Sequence, residues 1–276
     1  MDWGILQFLA PAIVAALIIA GIHAYLGLHV VERGVIFVDL SLAQIASLGA
    51  AIAVLQGADA HDPVIYWMSL GFTLIGAFIF AMIKGQDAHI PQEAIIGISY
   101  AVASAASILA MSKATSESEH LKDMLVGNIL AVSWPEVGHT AVLYSAVGLF
   151  HYIFRKQFLA VSMAHGREEE LPAGFNVRLW DFLFYASFGF VVTSSVAIAG
   201  VLLVFCYLIV PSVAAMLYSE RIGTRLAIGW SMGTVVSALG IYLSVRLDLP
   251  TGATMVCTFG LILVVMAALR MFLQRR

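Results

Sequence analysis

Charge is what this sequence has least of. Only 11% of its 276 residues are Asp, Glu, Lys or Arg, where a soluble domain carries about a quarter. That shortage excludes a surface turned wholly to water. Lysine is scarcer still: Lys84, Lys113, Lys122 and Lys156 are the complete set, and none stands in the G-x-x-x-x-G-K-[ST] setting that cradles a nucleotide phosphate. The chain is therefore not expected to hydrolyse ATP, and any ATP that drives it would be bound by another subunit. Cysteine is nearly absent. Cys206 and Cys257 both lie in apolar runs, where a thiol behaves as a small hydrophobe, which argues against a disulfide or a metal pair. No basic tract interleaved with aromatics occurs and the net charge is only -3, so nucleic acid is not expected as a partner. An intramembrane metalloprotease would need an H-E-x-x-H set, and the nearest approach, HLKDM from His120 to Met124, lacks it.

What is present is apolar. Hydrophobic residues make up 61% of the chain and mean hydropathy is +0.96, values of an all-α, polytopic integral membrane protein in contact with lipid. With about 20 apolar residues per crossing, predicted spans fall near 5–27, 34–56, 63–84, 93–112, 136–154, 180–199, 200–218, 226–245 and 251–272. That gives nine, with eight as the alternative, in one domain over 1–276. No Lys or Arg precedes the first segment and no small-residue cleavage site leads out of it, so it reads as a span and not as a signal. Two readings stay open around Gly200: two tightly joined helices, or one helix followed by a broken, partly re-entrant one interrupted at Pro211. Leu121–Val132 is too short to cross and is expected at the interface.

Positive charge orients the chain. With the N-terminus outside, all of the 14 Lys and Arg except Lys113, Lys122 and Arg246 fall inside. The outer loops then carry Asp59, His61 and Asp62, and Glu117, Glu119, His120 and Asp123. These are either ordinary solvated loops or a docking face that concentrates cations. The longest inner loop runs from Arg155 to Arg178, and at over 20 residues it is long enough to expect a function of its own.

The second predicted span carries an acid inside its apolar run. Asp39 stands in FVDLSLAQIASLGAAIA (Phe37 to Ala53), at a cost of about 2.5 to 3.5 kcal/mol on insertion scales, so its side chain is expected to face protein or a water-filled path. At 100° per residue Ala43, Ala46, Ala50 and Ala53 fall within about 40° of it, a seam of small residues suited to close helix packing. Ser47, Gln44 and Ser41 follow at about 80°, 140° and 200° as a polar strip. Elsewhere His23 and His29 are expected to hydrogen-bond structurally, Glu93 to supply charge at a helix start, and Glu136 and His139 to lie at the surface. Asp248, with Pro250, Thr251 and Gly252, fits either a cap on the last span or a gate at its entrance.

Five stretches in order resemble a known family. LGLHVVERGVIFVD (Leu26 to Asp39) is similar to the first cytoplasmic turn of the permease subunits of bacterial ATP-binding-cassette importers for zinc, manganese or iron, and PQEAIIGISYAVASAASILAMS (Pro91 to Ser112) to their acid-then-A-I-G-I segment. MLVGNILAVSW (Met124 to Trp134), GVLLVFCYLIVPSVAA (Gly200 to Ala215) and LDLPTGATMV (Leu247 to Val256) resemble their F-G-N-I-L-x-V-S, G-x-L-L-V…P-A-A-x-A and D-x-P-T-G-A elements. The resemblance implies a type II importer-like helical bundle in the bacterial inner membrane, paired with a second permease copy. It also implies two cytoplasmic ATP-binding subunits and a periplasmic or lipid-anchored metal-binding protein. A divalent metal ion would be the transported substrate, with no cofactor held permanently. Arg155 to Arg178 would contain the coupling segment, with Lys156, Ser162, Gly174 and Asn176 at the ATPase contact, although the family's F-D-P-E is absent.

The family's second span usually carries G-D-x-x-S-H, whose Asp and His share a helix face. Aligned on Gly49, Gln44 takes the His position and Leu40 the Asp position, while Asp39 lies one place early. Carboxylate and amide oxygens suit harder ions such as manganese, whereas imidazole suits zinc. On this reading Asp39, Gln44, Ser41 and Ser47 line the metal path, with Asp248 and Thr251 at a gate or entrance. The alternative is a secondary transporter driven by an ion gradient, a class that typically shows inverted repeats with paired broken helices. No such likeness between the halves is evident.

Overall fold

A computed structural model of the chain describes residues 3–59, 62–83, 91–112, 129–164, 171 and 174–274. Among these the regular structure is entirely helical, as lipid requires: a backbone out of water must satisfy its own hydrogen bonds. The helices are α1 (Trp3–Glu32), α2 (Val38–Leu55), α3 (Pro63–Ile83), α4 (Gln92–Met111), α5 (Trp134–Ile153), α6 (Arg155–Met163), α7 (Val177–Ala199), α8 (Val201–Tyr218), α9 (Ile222–Leu247) and α10 (Thr251–Gln274). Eight of them are long and apolar enough to cross a membrane singly, and α5 with α6, bent by 76° at Phe154, brings the number to nine if the bent pair is one span. Of the interfacial stretch expected at Leu121–Val132, only its end is described, as a 3-10 turn over Ile129–Ala131; the outer-loop residues His61, Glu117, Glu119, His120 and Asp123 lie outside the described residues.

Hydroxyl groups are absorbed into this scheme. Ser47, Thr73, Ser107, Ser195 and Ser212 each return a hydrogen bond to the carbonyl four residues back, so polar side chains sit in apolar helices without leaving a donor bare. The two readings at Gly200 resolve into two joined helices. Gly200 takes φ 76 and ψ 159 between α7 and α8, a backbone setting open to glycine, and α8 runs unbroken through Pro211 to Tyr218.

The chain forms two compact units. The first comprises residues up to Val31, Leu125–Gly148 and Ala197–Arg276. In it α1 and α8 meet so closely at Gly27 that a Cβ would collide with the Leu208 carbonyl and Ser212. Trp230 of α9 donates to the Gly21 carbonyl of α1 at 2.9 Å, Tyr207 and Ser237 join α8 to α9 at 2.7 Å, and Tyr207 meets the Phe259 ring of α10. Glu136 accepts hydrogen bonds from the Ser133 N–H and hydroxyl at 2.8 and 2.6 Å. The carboxylate thus reaches back to the residue preceding α5, the glutamate half of a capping box, which gives Glu136 a local role. His23 is buried, with Nδ1 bonded to the Ile19 carbonyl, and the His29 ring lies edge-on to Tyr25.

The second unit comprises Glu32–Met124 and Leu149–Val196. Its centre is α2, which packs against both α3 and α4. Gly49 faces the backbone of Met68, where a Cβ would lie 2.6 Å from the carbonyl oxygen. Gly76 of α3 receives Ile45 and Leu42. α6 and most of α7 belong to the same unit.

Candidate functional site

Asp39 stands in the first turn of α2 and is 1% exposed. Neither carboxylate oxygen has a hydrogen-bond partner among the described residues, and the Ser41 hydroxyl, fully buried, has none either. A carboxylate held this way loses its hydration without replacing it, which costs several kcal/mol in the charged form. Gln44 and Ser47 are buried further along the helix, five and eight residues after Asp39, and Ser47 spends its hydroxyl on the Ala43 carbonyl.

The helix is enclosed on both flanks of Asp39. Ala43, Ala46, Ala50 and Ala53 are all buried, so the small-residue seam expected from the sequence is present. α3 takes the side that carries Leu42, Ile45 and Gly49, about 60° to 120° round from Asp39. Ser47 and Gln44 lie on the opposite flank. Asp39 and Ser41 are about 160° apart, so these two do not form one chelating pair by themselves. Among the described residues no three His, Cys, Asp or Glu side chains converge on one point that could hold a metal. What α2 provides is a strip of oxygen-bearing side chains, Asp39, Ser41, Gln44 and Ser47, spread over rather more than two helical turns.

The turn leading into α2 is held from two sides. Gly34 takes φ 66, and the Phe37 N–H donates to Glu93 Oε1 at 3.3 Å, so Glu93 ties the head of α4 to the head of α2. Its neighbour Gln92 donates to the Phe80 carbonyl and to Tyr185. Arg33, 1% exposed, donates through Nη1 to Asp181 of α7 and through Nε to Ser162 of α6 at 3.0 Å. Its guanidinium lies over the Phe184 ring at 4.0 Å. Charge counting registers Arg33 only as an inside marker and passes over Asp181 at the head of its apolar run. Their opposite signs at span ends are the one sequence signal for this pair.

The remaining expected positions divide. On α6 Lys156 is exposed, while Ser162 is buried and turned toward Arg33. Gly174, at φ 83, and Asn176 are exposed just before α7, and Asn176 accepts from the Leu179 N–H at 3.0 Å, capping that helix. Asp248 and Thr251 lie in the first unit. Asp248 closes α9 in the left-handed conformation, φ 52 and ψ 49, so its capping place is the end of α9 and not the start of the last span. Short acids tolerate that conformation where most residues do not. Thr251 meets Ser244 at 2.6 Å, and Ser244 also reaches the Leu249 carbonyl, locking the joint between α9 and α10.

The model of the ABC 3 transport family matches residues 5–270. The chain belongs to this family. Its relatives include the manganese import system permease protein ScaB of Streptococcus gordonii, 24% identical over 94% of this chain and 90% of the relative. The manganese transport system membrane protein MntC of Listeria innocua is 25% identical over 92% and 88%. A chain of PsaBC from Streptococcus pneumoniae, solved in complex with Fab, has the same fold with a TM-score of 0.78 at 24% identity, covering 95% of this chain and 92% of that one. As an ABC 3 member with eight helices of spanning length among the described residues, or nine counting the bent pair, the chain is a multi-pass protein of the bacterial inner membrane.

Proposed function

We propose that this chain is the membrane-spanning permease subunit of an ATP-driven importer of divalent transition-metal ions, with manganese the best-fitting cargo. The observation that carries the choice of path is Asp39: a buried carboxylate with both oxygens unpartnered, on a helix whose other polar side chains are Ser41, Gln44 and Ser47. Oxygen donors of this kind suit manganese over zinc, and two relatives are named for manganese. Family membership leaves the ion-gradient reading without support.

In this assignment ATP is bound and hydrolysed by separate cytoplasmic subunits, and a metal-binding protein delivers the ion to the outer face. A second permease copy completes the membrane part. The exposed Lys156 on α6 and the exposed Gly174 and Asn176 before α7 form the ATPase-facing surface, within the segment Arg155 to Arg178. Transport proceeds by alternating access: nucleotide binding shifts the equilibrium between states open to one side or the other. Asp248 and Thr251, at the locked joint between α9 and α10, serve at the outer entrance.

Reconstitution in vesicles with the matched ATPase and binding protein tests the assignment. ATP-dependent uptake of manganese is expected, in preference to zinc; uptake of none among manganese, zinc and iron overturns the function. Asp39→Ala is expected to reduce uptake by about tenfold or more, the scale of losing a contact in a metal's ligand shell. Full uptake by that variant removes Asp39 from the path.

A further inference from the structure

The second unit contains the head of α2 and the α6 segment, and the Arg33 side chain, just before α2, reaches α6. Arg33 lies five residues before α2 begins and six before Asp39. It donates Nη1 to Asp181 of α7 and Nε to Ser162 of α6, with Phe184 beneath its guanidinium at 4.0 Å and Tyr185 at 5.8 Å. Ser162 in turn donates to the Phe158 carbonyl. Phe158 stacks flat on the His151 ring at 4.1 Å, and His151 bonds Ser187 of α7 at 2.8 Å. Arg33, Ser162, Asp181 and His151 are each buried to within a few per cent of completely.

We propose that Arg33 is a positioning residue that carries movement of α6 to the first turn of α2, and so to Asp39. This rests on the reading of α6 as the ATPase-coupling helix. A guanidinium holds two partners at once in a fixed planar fork, which a flexible ammonium does not reproduce. The chain between Arg33 and Asp39 is a single turn closed by Val38 N–H to Val35 carbonyl at 3.1 Å, and the Glu93 contact on Phe37 fixes its other side. Displacing α6 therefore displaces Ser162, the guanidinium and the head of α2 together. Burial makes breaking either bond costly, so the linkage transmits force instead of slipping.

The test uses the complete reconstituted importer and two variants. Ser162→Ala deletes one bond to Arg33 and keeps the Asp181 pair. Arg33→Lys keeps the charge but loses the fork. Metal taken up per ATP hydrolysed is expected to fall by about fivefold or more in both, the scale of an ordinary coupling between sites. Amide hydrogen exchange supplies a readout independent of cargo. In the native complex, nucleotide is expected to alter exchange at 155–163 and at 35–41 together, and in Ser162→Ala to alter only 155–163. An unchanged uptake-to-ATP ratio in both variants overturns the proposal, as does a parallel loss of uptake and hydrolysis that follows complex yield. Exchange at 35–41 that ignores nucleotide while 155–163 responds also overturns it. If 155–163 itself does not respond, the coupling assignment of α6 fails and the inference falls with it. Absence of metal uptake by the native complex, with both segments responding, counts against the cargo alone and upholds the linkage.

Discussion

An enclosed carboxylate without a donor opposes folding, and that opposition separates a transport role for Asp39 from a packing role. If Asp39 were there to pack, its loss would lower stability. Because neither oxygen is partnered among the described residues, Asp39→Ala removes a desolvation cost of at least about 1 to 3 kcal/mol, the value for a neutral polar group, and leaves only a small void. The purified variant is expected to melt at or above the native temperature while transporting poorly. A lower melting temperature with proportionate loss of uptake identifies Asp39 as structural. The sequence made Asp39 conspicuous because an acid in a greasy helix is rare and its neighbours on the wheel are alanines. It did not mark Arg33 or Asp181 as partners, since they stand 148 residues apart and nothing local to either one specifies the other.

At the scale of elements, α2 is held where its backbone meets that of α3. At Gly49 an added methyl would lie 2.6 Å from the Met68 carbonyl oxygen and 2.9 Å from the Ser69 Cα, and backbone atoms cannot rotate away. Gly49→Ala is therefore expected to force the helices apart and to destabilise the protein by about 1 to 3 kcal/mol. Gly71→Ala, on α3, meets nothing within 4 Å and is expected to stay within about 0.5 kcal/mol of native. Thermal unfolding of the two variants in one detergent distinguishes a real contact from a general intolerance of glycine replacement. The helices themselves were legible as apolar runs of spanning length, and the alanine seam of α2 as a 100° periodicity. The joints were less so. A break at Pro211 is one of two readings, and α8 continues through it to Tyr218, as the other, two joined helices, expects. Of the two readings of Asp248, cap on the last span or gate, the cap gives way to a left-handed helix end, because Pro250 and Thr251 signal the next helix without saying where the previous one stops.

For the molecule as a whole the decisive question is whether α5 crosses. It qualifies as a span only together with α6, across a 76° bend. Counting it gives nine crossings, and with the N-terminus outside, Lys156, Arg221, Arg225 and Arg270 then share the inner side as the positive-inside rule requires. If α5 did not cross, Lys156 would face the same side as Asp59, and α6 would lie across the membrane from Arg33's side of the chain, contrary to the bond between Arg33 and Ser162. The structure therefore supports the nine-crossing topology through a side-chain contact that charge counting never used. Single cysteines placed by Asp59→Cys, Lys156→Cys and Leu249→Cys, in a background of Cys206→Ala and Cys257→Ala, test it with a membrane-impermeant maleimide. The Asp59→Cys and Leu249→Cys proteins are expected to label in intact cells, and the Lys156→Cys protein only after the membrane is opened. Labelling of the Lys156→Cys protein in intact cells places α6 outside, and a helix there has no access to cytoplasmic ATP-binding subunits.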